Sequence, residues 1–445
     1  MRQLLARRDA RVYLTGQLFS LFGDSSLWLA MGIWVRTLTG SNAQAGLVFF
    51  FFTAPSLLAP ALGLLADRVR RRPLLLATNT LTAGAVLALL VVTGPGQVWL
   101  IDIVMFAYGL SYGVLGPAQS ALLTVIVPAE LLPDANAALR TIQELLRLIG
   151  PLAGAGLFVA AGPHVIVVID AISFAFPVVS LLLLRVREPA PQPMADRWAS
   201  QLAAGVRHIW RTIELRHVIA ASACTTIVFG FGETITYAVA SNGLHRPTAF
   251  VGVLAALQGA GAITGGLSAA ALVRRLGEGR LIGVAMLLAA AGAALEAPPL
   301  LPSVLAGDII FGAAIPWLVV GLITLAQRLT PLELQGRVYA AAEALITTPQ
   351  TISIAMGAAL IIVTGYQVLL LVMAITITLA AIYLLTRPEQ RQGARRRTII
   401  GMTATSATQT GKRTHSAPAL TGNGHTAGPL DSPSAPREKA RGALN

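Results

Sequence analysis

Residues 366–386 read YQVLLLVMAITITLAAIYLLT. No charge interrupts the stretch. At 1.5 Å rise per residue, about 20 residues cross a hydrocarbon core roughly 30 Å thick. The block has company along the whole chain. Working back toward the N-terminus, apolar blocks recur at 337–363, 300–328, 280–297, 248–272, 218–240, 163–184, 136–161, 98–126, 74–93, 45–66 and 13–38. One short block fits a buried core helix, but twelve long ones in series predict twelve transmembrane helices. Those well beyond 20 residues must tilt or extend past the bilayer. Composition agrees: 55% of the 445 residues are hydrophobic, 12% are charged, and mean hydropathy is +0.70. A soluble protein of this length has no core large enough to hide that much apolar surface. The first block is long and follows Arg2, Arg7, Arg8 and Arg11, so no cleavable signal peptide is expected.

The formal charge of +13 invites a nucleic-acid reading. The placement of the charges argues against it. With the N-terminus in the cytoplasm, thirty of the 33 Lys and Arg fall in cytoplasmic segments, counting the adjoining cytoplasmic ends of spans. Arg36 and Arg246 alone lie in external loops, and Arg147 sits within a span. That asymmetry is the positive-inside pattern and puts both termini in the cytoplasm. Basic loops follow from topology, so no nucleic-acid partner is expected. The single cysteine, Cys224, allows no disulfide within the chain. No Cys/His cluster has metal-ligand spacing, no phosphate-binding loop of the G-x-x-x-x-G-K-[ST] kind occurs, and no cofactor is expected.

The long segment 185–217 divides the spans six and six. It opens with the Pro-rich Glu188-Pro-Ala-Pro-Gln-Pro193. It continues with Trp198, Leu202, Val206, Ile209, Trp210 and Ile213 on one helical face, which predicts an amphipathic helix lying on the inner membrane surface. The expected organisation is a six-helix half over 1–184, a cytoplasmic linker over 185–217, a second half over 218–388 and a disordered tail over 389–445, rich in Ser, Thr, Gly, Pro and basic residues. The halves match internally. Gly63-Leu64 and Arg71-Arg72 return as Gly266-Leu267 and Arg274-Arg275, and Pro128-x-Glu130-Leu131 returns as Pro331-x-Glu333-Leu334. Gly154 returns as Gly357, and Phe22-Gly23-Asp24 as Phe231-Gly232-Glu233. An even number of spans per unit makes the repeats parallel in the membrane.

Ionisable groups within spans are costly and mark function. Asp24 lies near the midplane of the first span, with Gln17, Ser20, Trp28 and Met31 on its face. That stripe suits a water-filled cavity. Glu233 is its counterpart in the seventh span, flanked by Phe229 and Tyr237 four residues either way. Burial penalises the charged form of a carboxyl group, so an acid alternately buried and wetted can carry protons. Asp24 and Glu233 are therefore the candidates for proton coupling, with a structural role as the alternative for each. Glu144 and Arg147, three apart, form an expected ion pair that either gates or simply stabilises. Glu343 stands at the repeat equivalent of Arg140 and is a candidate for the cytoplasmic half of the pathway. Tyr108, Tyr112 and Gln119 share one side of the fourth span, where they either receive a bulky amphiphile or pack between helices. Trp317 in the tenth span carries the same two readings. Asp170 is read as a structural helix contact, and Asp102, Asp308 and Glu296 as solvated near external ends.

Gly63-Leu-Leu-Ala-Asp67-Arg68-Val-Arg70-Arg71-Arg72 resembles the signature between helices two and three of the major facilitator superfamily, with Arg70 where glycine is common. The resemblance implies an all-α membrane protein of the major facilitator fold, twelve helices in two six-helix halves, working by alternating access. It gives Asp67, Arg68, Arg71 and Arg72 a conformational role, with Asp67 receiving N–H groups from a neighbouring helix end. The second-half loop, Val273-Arg274-Arg275-Leu276-Gly277, lacks the aspartate. Gly150-Pro151-Leu152-Ala153-Gly154-Ala155 resembles the antiporter signature of exporters in this superfamily. It implies gating at Gly150, Pro151 and Gly154, where proline bends the helix and glycine admits a neighbour. Ile169-Asp170-Ala171-Ile172-Ser173-Phe174 is similar to the branch that holds macrolide-efflux proteins and the enterobactin exporter. The fourth span lacks the arginine that many drug–proton antiporters carry there.

The implied function is secondary export of a small hydrophobic or amphipathic compound, by proton antiport, from a monomer in a bacterial inner membrane. The partners are then a small-molecule substrate, protons and the lipid bilayer. An uptake or metabolite facilitator of the same fold is the alternative, followed by a non-transporting receptor or scaffold. No nucleophile–base constellation within the spans supports an enzyme.

Overall fold

The computed structural model describes residues 2–58, 62, 69–184 and 198–389, and every regular element among them is helical. Helix α1 runs Arg8–Thr39 and ends on Gly40, whose left-handed φ of 70° closes the last turn. Ser41 caps the next helix, α2 (Asn42–Thr53), by accepting from the Gln44 N–H. A tighter turn extends α2 through Ala54–Leu58. Helices α3 (Arg71–Leu87), α4 (Val98–Ile126) and α5 (Leu132–Ala161) follow. The sixth span is broken into α6 (Pro163–Ser173) and α7 (Ala175–Leu183). Pro177 explains the break, because its ring excludes the carbonyl four residues back, on Ser173. After α8 (Trp198–Arg211), the seventh span is likewise split into α9 (Ile213–Phe229) and α10 (Gly232–Ala238), at the flexible Gly230-Phe231-Gly232. The remaining spans are α11 (Val251–Leu276), α12 (Glu278–Glu296), α13 (Leu301–Leu329), α14 (Gln335–Thr364) and α15 (Tyr366–Thr386).

Eleven stretches among the described residues are long and apolar enough to cross a membrane. The remaining expected span is the shorter apolar helix Asn42–Leu58, whose continuation lies outside the described residues. Side chains such as Leu81, Val159, Leu267 and Val363 are 71–83% exposed. That apolar outer surface is at home only against lipid. Basic residues close one end of the bundle. Arg72 Nη2 donates to Leu182 O at 3.0 Å and Arg8 Nη1 to Leu183 O at 3.4 Å, meeting free carbonyls at the negative end of α7. Arg328 bridges Glu214 at 3.4 Å and Glu278 at 3.5 Å. The end at which α1 begins is called the near face below, and the opposite end the far face.

Helix α1 packs along α5, α6 and α7, while α13 packs on α11 and α12, and α9 on α14 and α15. Helices from before residue 184 meet those after residue 198 chiefly where α2 touches α14 and α10, and where α5 touches α11. These junctions lie toward the far face. Gly46 of α2 lies directly against the Thr234 side chain, and Gly252 of α11 against Ala155. Tyr237 Oη donates to Leu29 O at 3.5 Å, and Ser241 Oγ to Asn42 Oδ1 at 3.3 Å. Beyond this seal, a cavity of about 540 Å³ opens among Asn42, Asn242, His245, Ile361, Tyr366 and Gln367.

Helix α8 forms where the apolar periodicity places it, and part of its apolar face is covered by protein. Ile209 is 2% exposed and, with Leu202 and Val206, covers Val338, Ala341 and Ala342 at the near end of α14. Gly205 permits that approach, since a side chain there would strike the Arg337 carbonyl. Trp210 and Ile213 remain exposed. The Pro-rich stretch of the linker, and the expected tail from residue 390 on, lie outside the described residues.

Candidate functional site

Asp24 sits near the middle of α1, half-buried, at the level where that helix is crossed most closely by α5. The crossing is built from glycine. A Cβ on Gly150 would strike Ser25, and one on Gly154 would strike the Ser26 carbonyl. Gly150 and Gly154 are four apart, so both lie on one face of α5 and hold it against the two residues that follow Asp24. Pro151 lies inside α5 and removes one of its backbone donors. The motif read as a gate is thus in contact with the segment of α1 that carries Asp24.

From the other side, Tyr108 of α4 reaches the same acid. Its hydroxyl donates to Asp24 Oδ1 at 2.5 Å and lies 3.5 Å from Asp170 Oδ1. Asp170 is fully buried, and its Oδ2 has no hydrogen-bond partner among the described residues. Gly23 makes the approach possible, because a side chain there would occupy the space of Ser173 and the Asp170 carboxyl. The Ser173 hydroxyl turns back to the Asp170 carbonyl at 2.7 Å, in the last turn before the break set by Pro177. The helix contact expected of Asp170 is therefore made at Gly23 of α1 and at Tyr108, the residue that also holds Asp24.

Glu233 follows the break in the seventh span and is half-buried. Its electrostatic neighbour is Arg147 of α5, the cation expected to pair with Glu144. Arg147 is exposed, and the Glu144 side chain lies outside the described residues. Half-buried aromatic rings accompany both acids. Trp28, one turn from Asp24, packs edge-on to Phe52 at 4.6 Å and against Phe49 at 4.7 Å. Exposed Tyr112 meets Phe52 at 5.9 Å. Phe229, one turn before Glu233, lies 5.2 Å from Phe311. These rings offer an apolar, polarisable wall on either side of the polar groups.

Other candidates are placed differently. Gln17 and Ser20 are buried at 5% and 7% exposure, and Met31 is wholly buried, so most of the stripe on α1 packs against neighbouring helices. Tyr237 is buried in the far-face seal. Trp317 donates to Gly265 O at 2.9 Å and Ser268 Oγ at 3.0 Å, tying α13 to α11. The Gln119 carbonyl accepts from Tyr13 at 3.5 Å. Glu343 is exposed and its Oε1 lies 3.5 Å from Thr347 Oγ1. Arg71 and Arg72 open α3, whereas Asp67 and Arg68 lie outside the described residues. Asp308, expected to be solvated, is 6% exposed with Oδ2 unpartnered, beside Glu296 of α12. Among the described residues no group of three or more His, Cys, Asp or Glu is gathered to hold a metal ion.

Known proteins share this architecture. A family model described as Major Facilitator Superfamily matches residues 13–342. Macrolide efflux protein A of Streptococcus pyogenes is 24% identical over 174 residues, which cover 38% of this chain and 43% of that protein. The chain thus spans less than half the length of that curated relative. A bacterial homologue of the iron transporter ferroportin superimposes in its inward-facing state with TM-score 0.63 and 18% identity, over 85% of this chain and 99% of the other. In its outward-facing state the score is 0.56, also at 18% identity, over 85% and 98%.

Proposed function

The chain belongs to the Major Facilitator Superfamily, and on that premise we propose that it exports a small hydrophobic or amphipathic compound, drug-, macrolide- or metabolite-like, in exchange for protons. It is an all-helical, multi-pass membrane transporter. The observation that carries the exporter reading furthest is Asp24: an ionisable group at mid-depth, half-buried, held by Tyr108 and flanked by aromatic rings. A carboxyl group at that depth costs about 3 kcal/mol to insert when charged, so it is kept for use. The nearby rings Trp28, Phe52 and Tyr112 suit a bulky apolar substrate with a polar handle. The name of the Streptococcus pyogenes relative points the same way.

In this reading residues 1–184 and 218–388 are two halves joined by a cytoplasmic linker, and they rock about the midplane. The far face is the outside of a bacterial inner membrane, because the positive charges gather at the near face. The sealed far face then makes this a state closed to the outside. The working unit is a monomer with no cofactor and no nucleic-acid partner. A reporter fused after Arg387 is expected to read cytoplasmic and one inserted near Asn242 external; the reverse at either site overturns the orientation.

Transport direction tests the function itself. Inside-out vesicles with an acid interior are expected to accumulate a lipophilic dye or macrolide, and to stop when the pH gradient is collapsed. Cells lacking the protein are expected to gain susceptibility to the same compounds. Accumulation in right-side-out vesicles alone would make the protein an importer.

A further inference from the structure

We propose that Asp24 and Asp170 together hold one proton, with Tyr108 as the bridge between them, so that Asp170 is a second member of the coupling site. The inference rests on the reading of Asp24 as the coupling acid. Asp170 is fully buried on α6, and neither it nor Asp24 meets a cation in a salt bridge among the described residues. The groups facing the pair are few. Helix α4 presents Tyr108, and α6 adds the Ser173 hydroxyl, which meets the Asp170 carbonyl at 2.7 Å and also the Asp170 carboxyl; Arg147 of α5 acts on Glu233 instead.

Two bare carboxylates in that space would bury two like charges with a single O–H between them. One shared proton removes one of the charges and supplies the missing donor. Asp170 Oδ1, 3.5 Å from Tyr108 Oη, is the oxygen that carries the proton, while Oδ2 has no partner among the described residues to stabilise a bare charge. Asp24 is half-buried and reachable by water; Asp170 is not. Asp24 is therefore the wet port and Asp170 the dry seat.

The transfer balances without any further reactant. The Asp170 carboxylic acid gives its proton to Tyr108 Oη as the Tyr108 hydroxyl proton passes to Asp24. Tyr108 is neutral before and after, Asp170 ends as the carboxylate and Asp24 as the acid. In the present state the Tyr108 hydrogen bond is made to Asp24, with Asp170 1 Å farther away. A small swing of one ring tip exchanges the two partners.

Purified protein in liposomes with an imposed pH gradient tests this, using Asp170→Asn and Tyr108→Phe, the second of which keeps the packed ring. Both variants are expected to bind a lipophilic dye within about twofold of the parent and to exchange it downhill. Gradient-driven efflux is expected to fall about a hundredfold, as for loss of a proton-transfer group, with an altered pH profile. If Asp170→Asn does not fold, Tyr108→Phe decides alone. Parental pumping with an unmoved pH profile in the variants overturns the shared proton, as does loss of dye binding equal to loss of pumping. Asp24→Asn run in parallel separates the two readings. If it pumps normally, the coupling role of Asp24 fails; if it fails while Asp170→Asn pumps normally, only the dry seat fails.

Discussion

Asp24→Asn is expected to abolish uphill efflux, by at least about a hundredfold, while leaving substrate binding and downhill exchange in place. Asparagine keeps the shape and can still accept from Tyr108, so the helix packing around it is preserved. What it loses is the ability to take up and give away a proton as the cavity changes from dry to wet. Asp24→Glu retains an ionisable carboxyl but lengthens its arm by one methylene and disturbs the 2.5 Å contact with Tyr108, and partial activity is expected. Glu233→Gln is expected to be milder, because Glu233 is placed beside the cation Arg147 and outside the Tyr108 bridge. Efflux from liposomes against a set pH gradient is the measurement. Wild-type pumping by Asp24→Asn would move the coupling proton to Glu233, Glu144 or Glu343.

Gly46→Leu is expected to hold the far face open and to stop turnover with the fold intact. Gly46 touches Thr234 in the seal between the two sets of helices, so an isobutyl group there is paid for only in the closed state. Overpacking of that kind costs about 1–3 kcal/mol. At 1.4 kcal/mol per factor of ten, the closed state falls about five- to a hundredfold. The readout is thiol labelling. With Cys224 replaced by Ser, Thr234→Cys, at the wholly buried contact with Gly46, is expected to react with a membrane-impermeant reagent only when Gly46→Leu is also present. Unchanged labelling and normal transport would mean that the contact between α2 and α10 is no gate.

Much of the fold was legible because lipid imposes a one-dimensional rule: about 20 apolar residues, then a loop with charges on one side. The expected span 366–386 is the observed Tyr366–Thr386, and 163–184 matches the two pieces of the broken sixth span. The Asp24 neighbourhood was legible only in part. Residues 24, 108 and 170 lie on three helices, and no short-range pattern joins groups 84 and 62 residues apart. Tyr108 and Tyr112 are one turn apart, yet one is buried on the acids and the other exposed. Periodicity gives the face of a helix but not its neighbour. Pro177 and Gly23 were the available signals for Asp170: a break in the sixth span, and a residue small enough to admit it. Helix α8 shows the same limit, since an apolar stripe looks alike whether it meets lipid or protein. Gly205 in the middle of that stripe was the hint of a close backbone neighbour.

The docking of α8 on α14 changes the contour available to the rocking proposed above. The segment 185–217 is more than thirty residues long, but α8 is anchored on α14, so only thirteen residues, 185–197, separate Leu184 from an anchored helix. Thirteen residues span at most about 45 Å. Under that proposal, chain contour bounds the travel of one half past the other, and α8 moves with the half it is docked on.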